Sequence, residues 1–149
     1  MSTSSIPRFK AALLSRLQSL PALSGVQVSW GHPLPARLEG ELVLIGDVAS
    51  DTEPAALGSG AREERYRLEI TVSVAGTSRT PHRTYEERAF VLAGIVESSI
   101  TAWRTEVNPY GGTVAWAIPG VSATSEGVST SGDAREAKVL LTVECAARI

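Results

Sequence analysis

The clearest hydrophobic pattern in the chain runs from Glu63 to Ala75. Apolar and polar residues alternate here with a period of two, which places one apolar and one polar face on a single extended strand. The apolar positions are Tyr66, Leu68, Ile70, Val72 and Val74. The polar positions are Arg65, Arg67, Glu69, Thr71 and Ser73. The pattern predicts a long, half-buried strand, and the core is expected to form on its apolar face.

The strongest helix pattern follows this strand. Thr84 to Glu87 reads as a capping box, in which the threonine and glutamate side chains satisfy amide groups at the start of a helix. Apolar residues then recur at three- and four-residue steps from Tyr85 to Trp103. The apolar stripe also includes Phe90, Ala93 and Ile95. It is broad enough to be buried against both the sheet and a neighbouring subunit.

A shorter helix is predicted near the N-terminus. Ser5 can cap it, and Pro7 suits its first turn, where an amide proton is not needed. Apolar residues recur at helical spacing from Ile6 to Leu20. Pro21 disfavours helical geometry at the residue before it, so the helix should end near Leu20.

Four further segments are predicted as strands. Val26–Trp30 alternates and gives a short strand that ends before a proline-rich turn. Glu41–Val48 is a more continuous apolar run, typical of a strand in the centre of a sheet. Val114–Ile118 and Ala137–Ala147 alternate again, and the second of these is long.

Three connecting segments lack a clear pattern. Residues 49–62 form a long segment predicted to be irregular, and such loops are commonly functional or mobile. Residues 76–83 form a turn between the long strand and the long helix. Residues 120–133 are small and polar, which predicts a weak strand or a flexible excursion.

The order of these elements predicts the fold class. Strands come in runs and do not alternate with helices, which favours an α+β fold over a doubly wound one. We therefore expect one domain over residues 1–149, with a mainly antiparallel sheet and two helices packed on one of its faces.

Composition excludes some classes of function. The formal charge is -2, from 14 basic and 16 acidic residues, with none of the basic clustering typical of nucleic-acid binding. The longest apolar run, Ala89–Val96, is far shorter than the ~20 residues that span a bilayer, and the N-terminus lacks a signal-peptide pattern. We expect a soluble protein without a membrane partner.

The residue types that most often carry chemistry occur here in settings that do not favour a site. Leu57–Gly60 is glycine-rich, but Ala-Arg follows it and it precedes a strand, unlike a phosphate loop. His32 and His82 have no companions at metal-ligand spacing. Cys145, the single cysteine, excludes an intramolecular disulfide and lies on the apolar side of its strand, where a thiol acts as a small hydrophobe.

Three carboxylates crowd the end of the second strand and the segment after it. Asp47, Asp51 and Glu53 could in principle do acid–base work, but nothing in the sequence would raise their pKa values. Carboxylates at such a position are more often solvated or paired with arginines of a partner. No catalytic residue, metal or cofactor is therefore predicted.

Charged residues near the start of the long strand have two interpretations. They form either a solvated face or an ion-pair surface between subunits, because a strand this long can extend beyond its own sheet. We keep both, and predict a candidate subunit or axial interface. Its residues are Asp51, Glu53, Arg62, Glu63, Glu64, Arg65, Arg67, Glu69, Arg79 and Arg83.

Taken together, the order and spacing of the segments resemble the tail terminator proteins, also called minor tail proteins, of long-tailed bacteriophages, especially those of actinobacteria. The resemblance covers nearly the whole chain and includes its single long helix. Its other features are the helix end at Leu20–Val26, the strand end at Gly46–Asp47, the strand start at Arg62–Tyr66, the turn at Tyr110–Val114 and the final residues Ala146–Ile149.

The resemblance implies a non-enzymatic, homohexameric ring at the tail–neck junction of a virion, assembled in the host cytoplasm. Such a ring caps the major tail tube protein, ends its polymerisation and meets the head–tail connector or stopper protein, while DNA only passes through its lumen. Residues 49–62 and 76–83 are then expected at ring or axial contacts. The alternatives are a head-completion or stopper protein of the neck and, in a different class, a small ligand-binding or enzymatic α+β domain.

Overall fold

The computed structural model describes residues 4–31, 40–54, 62–128 and 132–148, with only the backbone for residues 50–54 and 62. Within these ranges the fold has two α-helices and five strands. The helices are α1 (Ile6–Gln18) and α2 (His82–Trp103). The strands are β1 (Gln27–Trp30), β2 (Gly40–Pro54), β3 (Arg62–Thr77), β4 (Trp116–Val128) and β5 (Ala134–Arg148). Short 3-10 helices occupy Pro21–Leu23 and Pro109–Gly112.

The strands form one sheet in the order β1-β2-β3-β5-β4. Among the strands described, β1 pairs in parallel with β2, and the other three pairings are antiparallel. The long strand predicted from its alternation is β3, and it is the central strand. The prediction of an α+β fold with a mainly antiparallel sheet is confirmed.

Alternation along β3 sets the two faces of the sheet. Ile70 lies opposite Ile45 of β2 and Leu141 of β5, and all three side chains are fully buried. Directly opposite residues of paired strands share a face, so these rows define the core face. The predicted apolar side of β3 is this face.

Both helices pack on the core face. Phe9 of α1 and Trp103 of α2 stack with ring centroids 6.1 Å apart, and Trp103 meets Tyr110 edge to face at 5.6 Å. One continuous cluster of buried side chains joins both helices to β2, β3, β4 and β5. This arrangement matches the predicted packing of two helices on one side of the sheet.

The capping predictions are wrong in detail. α2 begins at His82 after Pro81, and the Thr84 amide donates to the Pro81 carbonyl at 3.0 Å, so Thr84 already lies inside the first turn. Pro81, with its fixed φ, occupies the N-cap position three residues before Thr84, where the capping box places it. Ser5 does precede α1, but its side chain makes no capping bond within the helix.

The segment predicted to be irregular between residues 49 and 62 is largely strand. β2 continues to Pro54, and its pairing with β3 runs from Ala49 opposite Arg67 to Pro54 opposite Arg62. The register of this pairing shifts between Ile45 and Val48, at Gly46 and Asp47, which is typical of a β-bulge. Backbone pairing with the long β3 therefore overrides the polar composition. Residues 55–61 lie outside the described residues.

The polar segment after Gly120 also forms a strand. β4 extends to Val128 and pairs with β5, with Val128 opposite Arg135. β4 lies at the edge of the sheet, where one side of the backbone is paired and most side chains face water. A polar sequence is compatible with such a strand. Of the helices described, none is long and apolar enough to cross a lipid bilayer.

Candidate interaction surfaces

One candidate surface lies on the sheet face opposite the helices. Strand register places Arg65, Ala146 and Trp116 in one row across β3, β5 and β4. The next row on this face holds Ala49, Arg67, Glu144 and Ile118. We call the set formed by Ala49, Arg65, Arg67, Trp116, Ile118 and Glu144 the sheet patch.

The sheet patch combines apolar surface with loosely held charges. Ile118 is 59% exposed, and a concavity of about 380 Å³ opens beside Trp116. The Arg65 and Arg67 side chains are 63% and 67% exposed. Arg67 Nε lies 3.7 Å from Glu144 Oε1, a pairing that contributes little within the chain because water screens it. These charges are therefore available to a partner.

Glu64 is not part of this surface, although the sequence placed it among the interface candidates. It lies on the core side of β3 with Tyr66 and is only 3% exposed. Its Oε1 accepts hydrogen bonds from the backbone amide and the hydroxyl of Ser5, and that hydroxyl lies 3.2 Å from the Tyr66 hydroxyl. Strand parity assigns Glu64 to an internal contact that fixes the start of α1.

The thiol next to this network is inert. Cys145 is 1% exposed and lies opposite Tyr66. Burial raises the pKa of the Cys145 thiol to about 12, and burial also raises the pKa of the Tyr66 phenol. A thiol that stays protonated at neutral pH is a poor nucleophile, as its place on the apolar side of the strand predicted.

A second candidate surface lies on the outer side of the helical layer. Phe90 and Val91 of α2 are 41% and 53% exposed, and they border two shallow grooves. The groove towards α1, about 560 Å³, is lined by Leu20, Gly94 and Ile95 among others. We call the set formed by Leu20, Phe90, Val91, Gly94 and Ile95 the helix patch.

Sequence reasoning captured the helix patch in part. It included Phe90 and Ile95 in a broad stripe expected to be buried against the sheet and a neighbouring subunit, and in the single chain Phe90 is 41% exposed. The buried positions of α2 are Ala89, Leu92, Ala93, Val96, Ser99, Ile100 and Trp103. Phe90 and Val91 fall outside that face, and two large apolar residues off the main stripe were the available signal.

Gly94 is a second unusual feature of the helix patch. It lies inside α2, where glycine is less favourable than alanine by about 1 kcal/mol. A Cβ added at Gly94 would meet nothing within 4 Å, so no contact inside the described chain requires a glycine. The glycine keeps the groove open on the outside of the molecule.

The remaining interface candidates are not gathered at one site. Arg79 is exposed in the turn after β3, and Arg83 near the start of α2 pairs with Glu87 at 2.7 Å. Thr77 lies ten positions after Arg67 along β3, a span of about 30 Å. Glu63 and Glu69 lie on the outer sheet face with Arg65 and Arg67. For Asp51, Glu53 and Arg62 the structure describes the backbone, within β2 and β3.

One polar cluster joins the start of α2 to the ends of β4 and β5. His82 Nε2 lies 2.9 Å from Glu86 Oε2, and Glu126 Oε1 lies 3.6 Å from His82 Nδ1 and 3.7 Å from Arg135 Nε. These contacts tie three elements together. No group of three or more histidine, cysteine or carboxylate residues suited to a metal ion occurs within the described ranges.

The fold has a full-length counterpart among solved structures. A chain in the structure "Virion of native gene transfer agent (GTA) particle" matches with a TM-score of 0.56, covering 92% of this chain and 93% of that one. The two sequences are 15% identical, so the similarity is one of fold. Neither the protein-family models nor the curated proteins contain a match to the sequence.

Proposed function

We propose that this protein is a non-enzymatic structural component of a tailed virion. The observation that carries the proposal is the match to a virion chain, which spans more than nine tenths of both chains and leaves no large insertion that would add an unrelated site. Coverage in both directions favours a shared architectural role over chance similarity of a common sheet motif.

Within the virion we propose a tail terminator. Copies of the chain form a ring of six on the last ring of the tail tube, stop its polymerisation and present their other side to the head–tail connector. A ring built from head-to-tail contacts leaves two different sides for two different axial partners. The near-neutral charge of the chain suits a lumen through which DNA passes without binding.

The interface residues follow from this role. Glu63, Arg65, Arg67 and Glu69 lie on the outer face of the sheet and are assigned to contacts between subunits. The Arg79 and Arg83 end of the molecule is assigned to an axial contact, because it lies about 30 Å further along β3. The β2–β3 hairpin, with Asp51, Glu53 and Arg62 in its strands, is assigned to the opposite axial contact.

The test is a tube-growth assay. Tail tube protein from the same virus is polymerised with and without the chain, and tube lengths are measured by electron microscopy. A terminator gives short tubes that carry a ring at one end, in numbers that follow the amount of chain added. A stopper or head-completion protein leaves tube growth unchanged but binds the connector. A chain that binds neither the tube nor the connector would refute the virion role.

A further inference from the structure

The two patches lie on opposite sides of a two-layer domain. The helix patch is on the side of α2 that faces away from the sheet, and the sheet patch is on the side of the sheet that faces away from the helices. Two copies that paired sheet patch to sheet patch would leave both helix patches uncovered. A head-to-tail arrangement covers one of each at every contact and can be repeated.

We infer that the helix patch of one copy docks on the sheet patch of the next. The occupant of each patch is thus a second copy of this chain. The inference rests on the proposed function in that it names the contact by which the ring would form. It does not depend on the tube as a partner.

The chemistry of the patches is complementary. Phe90 and Val91 project from the helix layer, while the sheet patch offers a concavity beside Trp116 and the exposed Ile118. Phe90 can pack against Trp116 and Ile118, while Arg65, Arg67 and Glu144, which line the concavity, supply a polar rim around this contact. The absent side chain at Gly94 leaves room for an approaching surface along α2.

The charges around the patches support the same pairing. Arg65 and Arg67 border the sheet patch, and the Glu87 carboxylate, 64% exposed, borders the helix patch. Within each copy these groups are held by Glu63, Glu144 and Arg83 in exposed pairs that are weak in water. Docking places the Glu87 carboxylate of one copy towards Arg65 and Arg67 of the next, so that opposite charges face each other at the edge of the contact.

Two variants test the contact, with a third as control. Phe90→Arg disables the helix patch, Ile118→Arg disables the sheet patch, and Val107→Arg changes a fully exposed residue outside both patches. All three positions are at least 41% exposed, so the fold should be retained, and circular dichroism and thermal unfolding check that it is. Mass photometry and sedimentation velocity then report the size of the assemblies.

Wild type and Val107→Arg should assemble alike. Phe90→Arg and Ile118→Arg should each remain monomeric at concentrations at least about tenfold above those that assemble wild type. An equimolar mixture of the two should form 1:1 dimers and stop there, because the intact sheet patch of one variant receives the intact helix patch of the other. This dimer is specific to a head-to-tail contact.

Three results would overturn the inference. The first is assembly of either variant like wild type, which would indicate self-pairing of one patch if only the other variant loses assembly. The second is a mixture that stays monomeric, and the third is a wild type that stays monomeric at every concentration and on the tube. Failure of the proposed function gives a different result: the mixed dimer forms, yet wild-type rings leave tube growth unchanged.

Discussion

The Glu64 carboxylate holds Ser5 by two hydrogen bonds, to the backbone amide at 2.9 Å and to the hydroxyl at 2.7 Å. The two residues are far apart in sequence, and both are almost fully buried. Ser5 precedes α1, so its amide has no acceptor within the helix. This amide and the positive end of the helix dipole both favour a negative group here. The contact fastens the start of α1 to the core side of β3.

Replacing Glu64 with alanine should destabilise the fold by about 1–3 kcal/mol, because it leaves the buried Ser5 amide and hydroxyl without their acceptor. Urea denaturation measures the change. Glu63→Ala is the matched control: Glu63 is the neighbour on the outer face, its pair with Arg65 is exposed, and the expected change is within about 0.5 kcal/mol. Equal urea midpoints for the two variants would contradict this role for Glu64.

Arg16 should resist replacement by lysine. Its Nε donates to Ser99 Oγ at 2.9 Å, one Nη atom donates to the Ser99 carbonyl at 2.9 Å, and the guanidinium lies 4.8 Å from the Trp103 ring centroid. Lysine cannot reproduce this planar set of donors. We expect Arg16→Lys to lower the free energy of unfolding by about 1–2 kcal/mol, a typical value for lost bonds to a charged group.

The control for Arg16 is Arg83→Lys, since the Arg83 side chain is 86% exposed. It should change the unfolding free energy by less than about 0.5 kcal/mol. If Arg16→Lys is equally harmless in a thermal melt, the guanidinium contacts do not stabilise the joint between α1 and α2.

The Arg16–Glu106 contact should be lost in acid. Hydrogen bonds from Arg16 lower the pKa of the Glu106 carboxyl below its ordinary value. A carboxyl with a lowered pKa in the folded state stabilises the fold above its unfolded pKa, and this contribution is lost as the pH falls through the folded value. The wild type should therefore lose more stability between about pH 5 and pH 3 than Glu106→Gln does. Parallel stability curves over this range would contradict the prediction.

Two glycines should respond to alanine in opposite directions. A Cβ at Gly76 would press on the Tyr85 ring, 2.9 Å from Cζ, so Gly76→Ala should cost at least about 1 kcal/mol from overpacking. Gly94→Ala meets open space and should raise the free energy of unfolding by about 0.5–1 kcal/mol. Chemical denaturation at a concentration where the protein is monomeric measures both changes. A stabilised Gly76→Ala would show that Tyr85 moves aside freely.

Sequence periodicity located the core well. The alternation of β3, the helical stripe from Ala89 to Trp103 and the alternation of β5 all mark buried faces, because burial on one face directly selects the residue type at every second or every third and fourth position. The core face of the sheet and the class of the fold follow from these three segments.

Other features depend on contacts between distant segments. The strand at residues 120–128 has a polar sequence and forms because β5 pairs with its backbone. The Ser5 hydroxyl makes no capping bond to α1 and donates instead to the Glu64 carboxylate of β3. The arginines of β3 were predictable from the polar face of the strand. The strand register was needed to show that Glu144 and Ile118 lie in the same row as Arg67.

An image of the assembled neck tests the central claim most directly. We predict that electron cryomicroscopy of the intact virion shows the chain as a single ring of six copies between the last ring of the tail tube and the head connector, with α2 of each copy against the outer sheet face of the next. The chain at the distal tip of the tail, on the capsid shell or absent from the particle would contradict the proposed function. A ring at the neck held by other faces would contradict the proposed contact alone.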